Sequence, residues 1–399
     1  MMLKQINISE LKPGMQVVNP GLDWIAHPYL YMADEYIDNA EQVQRIAKEG
    51  YQEVYIDLSR SISLVDASAP AAERGARSGS IAAILEPKVA FDEELKVASK
   101  THDEGVAYVR SFMRDIRSGR LNPEPAGEVV NDIMDSLDRN ASALLSLSRL
   151  RRTDSYTYMH CVNVCVLTTL FARCQGKSSK DVYSAGMAGL FHDLGKSLIS
   201  PHIVNAPRKL TNAERIVMNT HPQLGYEQMC DIPGMLTEVL TGALHHHEKF
   251  DGSGYPLGLS GNDISEAGRM VGVSDIYDAL TSKRVYKEAM YPHRALGILY
   301  NMRNKEHRSE DIVHFIRMMG IYPVGSLVQM EDGAIGVVSV VNNSQPTKPV
   351  VIMVRDAAGG VIKPAKTIDL TEQGAPVIAR GLAEENCDVN PAEVLGISA

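Results

Sequence analysis

Apolar positions recur along this chain with two different periods, and the changes of period divide it. Near the start, residues 15–19 and 53–58 predict strands, and residues 41–48 between them predict a helix that Gly50 stops. From Ser59 to Ser80 the chain is rich in Ser, Ala, Gly, Arg and Pro and has no period, which predicts a flexible linker. Beyond it Val106, Val109, Met113 and Ile116 return at helical spacing, and after Pro123 a second long helix is predicted over 127–151. The two suit a hairpin. The helical period then persists to about residue 320, broken by Gly and Pro clusters. After Tyr322 it changes to period two, with β-branched residues at 327–330 and 335–341 around an Asp332-Gly333 turn, and a second strand pair at 350–355 and 361–363. The expected fold is therefore mainly α: a small α+β unit (1–60), a linker (61–90), a helical hairpin (91–152), a helical domain (153–321), a small β-hairpin appendage (322–375) and an unassigned tail (376–399).

Composition narrows the class. With 399 residues, 44% hydrophobic and 22% charged, the chain has ample material for at least one large core and is no disordered or fibrous protein. Lys plus Arg number 40 against 49 Asp plus Glu, a net charge of -9 that disfavours a nucleic-acid polymer or an anionic membrane as partner. No run approaches the ~20 apolar residues of a membrane helix, and residues 1–14 lack an apolar signal core. The five cysteines are an odd number with no Cys-x-x-Cys pair, so free thiols and a cytoplasmic setting are expected. Cys161 and Cys165 stand one helical turn apart, in an apolar run that suits packing better than a soft metal.

The histidines are unevenly spread. Seven of the twelve lie between His160 and His247, a span where even spacing would put fewer than three. His160 shares a helical face with Val164, Leu167 and Phe171, so its ring should point inward. His192 and Asp193 end an apolar helical segment before Gly195; His221 precedes Pro222 at a helix joint that follows a Thr211–Glu214 capping box; His246 and His247 close another helix. Several imidazoles and a carboxylate brought into one buried place are costly, and a divalent cation is the usual compensation. A His/Asp set without cysteine suits Fe, Mn, Co, Ni or Zn.

The order His160, His192-Asp193 with Gly195-Lys196, then Asp275 resembles the HD phosphohydrolase superfamily. The segment His246-His247-Glu248-Lys249-Phe250-Asp251-Gly252-Ser253-Gly254-Tyr255-Pro256 resembles the signature of its HD-GYP subfamily. Tyr156-Thr157-Tyr158 before His160, His221-Pro222, and Asp275-Ile276-Tyr277-Asp278-Ala279 followed by Arg284 and Lys287 extend the resemblance over about residues 150–320. Residues 8–59 are similar to a short domain of unknown function that precedes HD-GYP domains in some bacterial proteins.

The resemblance implies an HD-type helical bundle and hydrolysis of cyclic di-GMP, a bacterial second messenger, to linear pGpG and in some members onward to GMP. It implies two divalent metal ions per chain, Fe or Mn foremost: one held by His160, His192, Asp193 and Asp275, the other by Asp193 as a bridge with His221, His246 and His247. A hydroxide between them would attack phosphorus in line, with Lys196, Arg284 and Lys287 meeting the phosphoryl charge and Tyr255 lying over the dinucleotide. The glycine-tyrosine-proline loop also suits contact with a signalling-protein partner. Asp278 could in principle replace Asp275 as ligand; the family spacing selects Asp275. Members with three metals carry a glutamate one turn before the first histidine, where this chain has Tyr156, so two ions and pGpG as principal product are expected. Two other functions stay open on the residues: a mononuclear HD nucleotide hydrolase, and a slow or non-catalytic receptor for the messenger. The face Val106, Val109, Met113 and Ile116 suits a homodimer seam or packing within one chain equally well.

Overall fold

The computed structural model describes residues 3–20, 30–31, 35–48, 51–57, 81–116, 123–151, 156–282, 289–342, 345–383 and 387–397. They fall into two compact units, one made of Met1–Arg77 with Met319–Val394 and the other of Ser78–Met318 with Leu395–Ala399. No described helix is long and apolar enough to cross a membrane.

The first unit contains two five-stranded sheets. In one, β1 (Leu3–Asn7), β5 (Glu53–Asp57), β2 (Gln16–Val18) and β4 (Glu35–Tyr36) lie side by side in that order, and β3 (Leu30–Tyr31) runs parallel to β5. Val54 and Ile56 of β5 are buried on one face, as a period of two requires, and join Ile6, Val17, Ile37 and Ile46 of α1 (Ala40–Lys48) in one cluster. The other sheet has the order β10 (Ile378–Leu382), β6 (Leu327–Met330), β7 (Ile335–Val340), β8 (Val350–Arg355), β9 (Val361–Asp369), all antiparallel. Tyr51 packs against the apolar clusters of both sheets.

Three features depart from the sequence expectations. The strands β1, β3 and β4 were not expected. β9 runs six residues past the expected end at Lys363, because it is an edge strand whose mostly exposed side chains carry no alternation; Pro364 is tolerated there, since an edge strand has N–H groups that pair with nothing. β10 lies in what reads as tail: only Ile378 is buried, so pairing with β6 defines it and not its own pattern.

The second unit is helical and comprises α2 (Ile81–Ile84), α3 (Phe91–Asp115), α4 (Glu124–Leu150), α5 (Tyr156–Cys174), α6 (Ser179–Phe191), α7 (Pro201–Val204), α8 (Asn212–Met218), α9 (His221–Cys230), α10 (Thr237–His245), α11 (Glu266–Thr281), α12 (Pro292–Asn301) and α13 (Ser309–Met319). α3 and α4 pack together as expected, but α4 is broken at Asn140, whose backbone is extended. Its side chain accepts from Ser142 N and donates to Val89 O, capping the second half as an N-cap does. Val109, Met113 and Ile116 are buried inside the chain and Val106 is half-buried, so most of that face of α3 serves core packing.

α5 forms the centre. Every residue from Cys161 to Ala172 is buried, as befits a helix apolar on all sides, and it packs against α3, α4, α6 and α11. The expected linker 61–90 lies largely outside the described residues; its described end includes α2.

Candidate metal centre

The site forms where helix ends meet the buried length of α5. α6 is capped by Ser178 and is buried from Ser184 to Phe191; its apolar run delivers His192 and Asp193 into the interior before a 3-10 turn, Leu194–Leu198, turns the chain away. Gly195 in that turn approaches the start of α9 so closely that a Cβ would overlap His221 O, and this approach sets His221 against Asp193. The expected Thr211–Glu214 capping box starts α8, and Pro222 in the first turn of α9 starts the helix that carries His221. α10 ends at His246, and α11 brings Asp275.

The seven side chains singled out as ligands come together in overlapping clusters: His160, His192 and Asp275; His221, His246 and His247; and His192, Asp193 and His246 between them. Within each, the ligand atoms lie within 4.8 Å of one another. Asp193, 1% exposed, spans the two sides: its Oδ2 is 3.4 Å from His192 Nε2 and 3.6 Å from His160 Nε2, and its Oδ1 is 3.3 Å from His221 Nε2.

Hydrogen bonds determine which nitrogen each ring presents. His192, His221 and His246 donate through Nδ1 to the carbonyls of Gly189 (2.7 Å), Met218 (2.8 Å) and Ala243 (2.6 Å), so each turns Nε2 to the interior, and burial lowers the pKa of His221 and His246, which leaves their Nε2 unprotonated. His221 Nε2 and His246 Nε2 then face each other at 3.2 Å, lone pair toward lone pair, beside Asp193 Oδ1, a buried oxygen with no hydrogen-bond donor among the described residues. Two nitrogens and a carboxylate oxygen so arranged make a donor set that fits a divalent cation. On the other side a proton does that work. Burial alone would lower the His160 pKa, but Asp275 (3.0 Å from Nε2) and Asp278 (2.6 Å from Nδ1) raise it to about 9. Burial and then the neighbouring His221 bring His247 down to about 3, and burial with His247 holds His246 well below its ordinary value. Asp193 and Asp275 stay ionised: burial opposes it, but His192 and Lys196 at Asp193, and His160 at Asp275, hold both far below the usual carboxylate range.

Lys196, expected to face phosphate, donates to Asp193 Oδ2 at 2.6 Å, with a quarter of its side chain exposed. Tyr255 lies over His247 with ring centroids 4.7 Å apart, and burial raises its phenol so that it remains a neutral donor. Arg284 and Lys287 lie outside the described residues, as does the side chain of Tyr156. His245 accepts from Ser265 N and stays outside the clusters. Cys161 and Cys165 are buried and stay apart from the metal clusters; burial pushes the Cys165 thiol up to about 12.

Sequence reasoning gave no role to Glu248 and Gly254 and a different one to Asp278. Glu248, 4% exposed, accepts from Leu257 N (2.6 Å) and Leu259 N (3.0 Å) and so holds the loop that carries Tyr255. Gly254 in that loop sits on the backbone of Glu248 and Lys249, where a Cβ would overlap both. Asp278, weighed only as a substitute ligand, turns instead to the opposite nitrogen of His160. A carboxylate directly after the loop's two histidines, and one a helical turn beyond Asp275, are the signals that pointed to them.

Comparison with known proteins adds to this geometry. The model of the HD domain matches residues 133–309, that of a domain of unknown function residues 3–125, and that of a KOW domain associated with HD domains residues 327–389. The chain is 35% identical over 374 residues to a cyclic di-GMP phosphodiesterase of Pseudomonas aeruginosa, covering 94% of this chain and 90% of the relative. It is 39% identical over 165 residues to a cyclic di-GMP phosphodiesterase response regulator of Xanthomonas campestris pv. campestris, covering 40% of this chain and 44% of that one. A solved structure of an HDG"Y"P protein from Bdellovibrio bacteriovorus covers 79% of this chain and 98% of its own, at 16% identity and a TM-score of 0.41.

Proposed function

The chain belongs to the HD-GYP family of HD-domain proteins, and on that premise we propose that it hydrolyses cyclic di-GMP, mainly to pGpG, with two divalent metal ions. One ion is held by His160, His192, Asp193 and Asp275, the other by Asp193, His221, His246 and His247. The observation that carries this reading is the approach of two unprotonated nitrogens, His221 Nε2 and His246 Nε2, at 3.2 Å beside Asp193 Oδ1, which accepts no hydrogen bond among the described residues, in a chain so similar to a phosphodiesterase along nearly its whole length.

The His/Asp donors suit iron, manganese, zinc, nickel or cobalt, and the family resemblance puts iron or manganese first. Bound there, such ions supply Lewis acidity, acidifying water for in-line attack on phosphorus and offsetting charge on the phosphoryl oxygens. The protein's own groups do the rest. Asp193 joins the two sides, and Lys196 holds that carboxylate in one orientation while keeping a cation at the open edge of the site. Tyr255 offers a neutral hydroxyl and a ring face to the dinucleotide, and Arg284 and Lys287 meet its phosphates. The loop that carries Tyr255 also exposes Leu257, 54% accessible, an apolar contact for a signalling-protein partner. Buried reduced thiols suit reaction in the cytoplasm, where this messenger acts.

With Tyr156 in place of a third carboxylate ligand, the site takes two ions and converts pGpG to GMP slowly. The test is anaerobic purification, metal analysis and product identification with cyclic di-GMP. Two ions per chain, with pGpG accumulating ahead of GMP, are expected. Three ions, or GMP forming as fast as pGpG, would overturn the two-ion reading, and tight binding without turnover by the metal-loaded protein would make it a receptor.

A further inference from the structure

Behind His160 runs a chain of buried polar groups whose proton positions leave no choice. Asn163, 1% exposed, sends its side-chain nitrogen to two groups that can only accept: the carbonyl of Ser148 at 2.8 Å and Asp278 Oδ1 at 2.9 Å. Its amide orientation is therefore settled, with Oδ1 pointing the other way. That oxygen lies 3.1 Å from Nε2 of His102, a fully buried residue of α3. A carbonyl oxygen needs a donor, so His102 carries its proton on Nε2. Two observations agree: His102 Nδ1 has no hydrogen-bond partner among the described residues, and burial lowers the His102 pKa, keeping the ring neutral. At the far end Asp278 uses Oδ1 to accept from Asn163 and Ser282 and Oδ2 to accept from His160 Nδ1 at 2.6 Å.

We infer that His102 is a positioning residue for the metal centre: through Asn163 and Asp278 it commits the Nδ1 proton of His160, so that Nε2 is the atom turned to the metal. Carboxylates behind ligating histidines commonly fix the tautomer in this way. Here the support extends two residues further, into a helix that lies outside the matched HD region and within the matched N-terminal one. A shift of α3 that separated His102 from Asn163 would free the amide to turn and loosen the carboxylate behind His160. α3 is thus coupled to the metal centre through side chains as well as through packing. The inference rests on His160 being a metal ligand, as proposed above.

The test uses the full chain and Mn2+ alone as probe. Losing an outer partner of a metal-ligating histidine typically weakens metal binding about 10- to 100-fold. His102→Leu should weaken Mn2+ binding by that factor, while His102→Gln, whose amide nitrogen can still donate to Asn163, should stay within about threefold of wild type. A folded His102→Leu protein with wild-type affinity overturns the inference, as does a His102→Gln protein as weak as His102→Leu, since a loss of packing alone would not be rescued by a donor. Should His102→Leu not fold, long-range 1H–15N spectra of the histidine-labelled wild-type protein decide. A His102 ring protonated at Nε2 is expected, and one protonated at Nδ1 overturns the chain. That readout needs no metal, so it separates failure of this inference from failure of the metal reading, which a wild-type protein that binds no Mn2+ would reveal.

Discussion

Around His160, two carboxylates flank one imidazole; around His246, three imidazoles face one another, with two carboxylates, Asp193 and Asp275, near them. The first arrangement holds a proton, with His160 raised to about 9, whereas in the second burial keeps the rings neutral, with His247 near 3. The sites are equally buried, so depth does not explain the difference. The ratio of carboxylates to imidazoles does: each carboxylate near a ring favours its charged form, and each imidazole nearby disfavours it. A cation entering the second half meets ready lone pairs, and one entering the first half must displace a proton.

The most damaging way to break this comparison is to remove the residue common to both halves. Asp193→Asn keeps the size of the side chain but not its charge, and should lower turnover on the order of a thousandfold or more, with metal content falling and far-UV circular dichroism unchanged. Full activity at normal metal content would remove Asp193 from the site and dissolve the distinction between halves.

Proton competition sharpens it. Because the His160 pKa is raised, the proton is bound below about pH 9 and lost above it, so metal affinity of that half should rise about tenfold per pH unit to about pH 9 and then level. The other half, with depressed pKa values, should be flat over the same range. Calorimetric metal titration of apo-protein from pH 6.5 to 9 reads this directly. His160→Gln should abolish the slope and His247→Gln should keep it; the reverse result would reject the assignment. Reference histidine values alone would have put the change near pH 6.5 in both halves.

Lys196→Ala tests whether the cation beside Asp193 serves catalysis or only holds the carboxylate. A fall in turnover on the order of a hundredfold with two ions retained is expected, as for loss of one donor to a transition state. Loss of metal instead would give Lys196 a purely structural part. Smallest is the effect expected outside both halves. Glu248→Gln keeps one acceptor for the Tyr255 loop and loses a charge-assisted hydrogen bond, about 1–3 kcal/mol. The KM for cyclic di-GMP should rise about tenfold with kcat little changed, and an unchanged KM would detach the loop from substrate binding.

Much of this was legible in the sequence because it is local. The helical period of α3 and α5, the Thr211–Glu214 capping box, the Asp332-Gly333 turn and the crowding of histidines between His160 and His247 all lie within a few residues or recur at a fixed spacing. The chemical types of the seven clustered side chains, and hence the kind of ion they suit, were readable for the same reason. What could not be read was relational. The strand β10 has one buried residue and exists by pairing with β6. The contact of Lys196 with Asp193, and Glu248 beneath the Tyr255 loop, depend on how the chain bends over a turn.

Sequence by itself determined which residues could bind a cation and that they would sit on buried helix faces and ends, since residue type and amphipathic period are properties of neighbours in the chain. Only the tertiary structure decided which nitrogen each ring presents and which half keeps a proton. Those depend on partners far away in sequence, such as Asp278 at 118 residues from His160 and His102 at 61 from Asn163. In a buried site the energy of a charge or a proton is set by whatever polar groups lie within a few ångströms, and the folded chain alone brings those groups there.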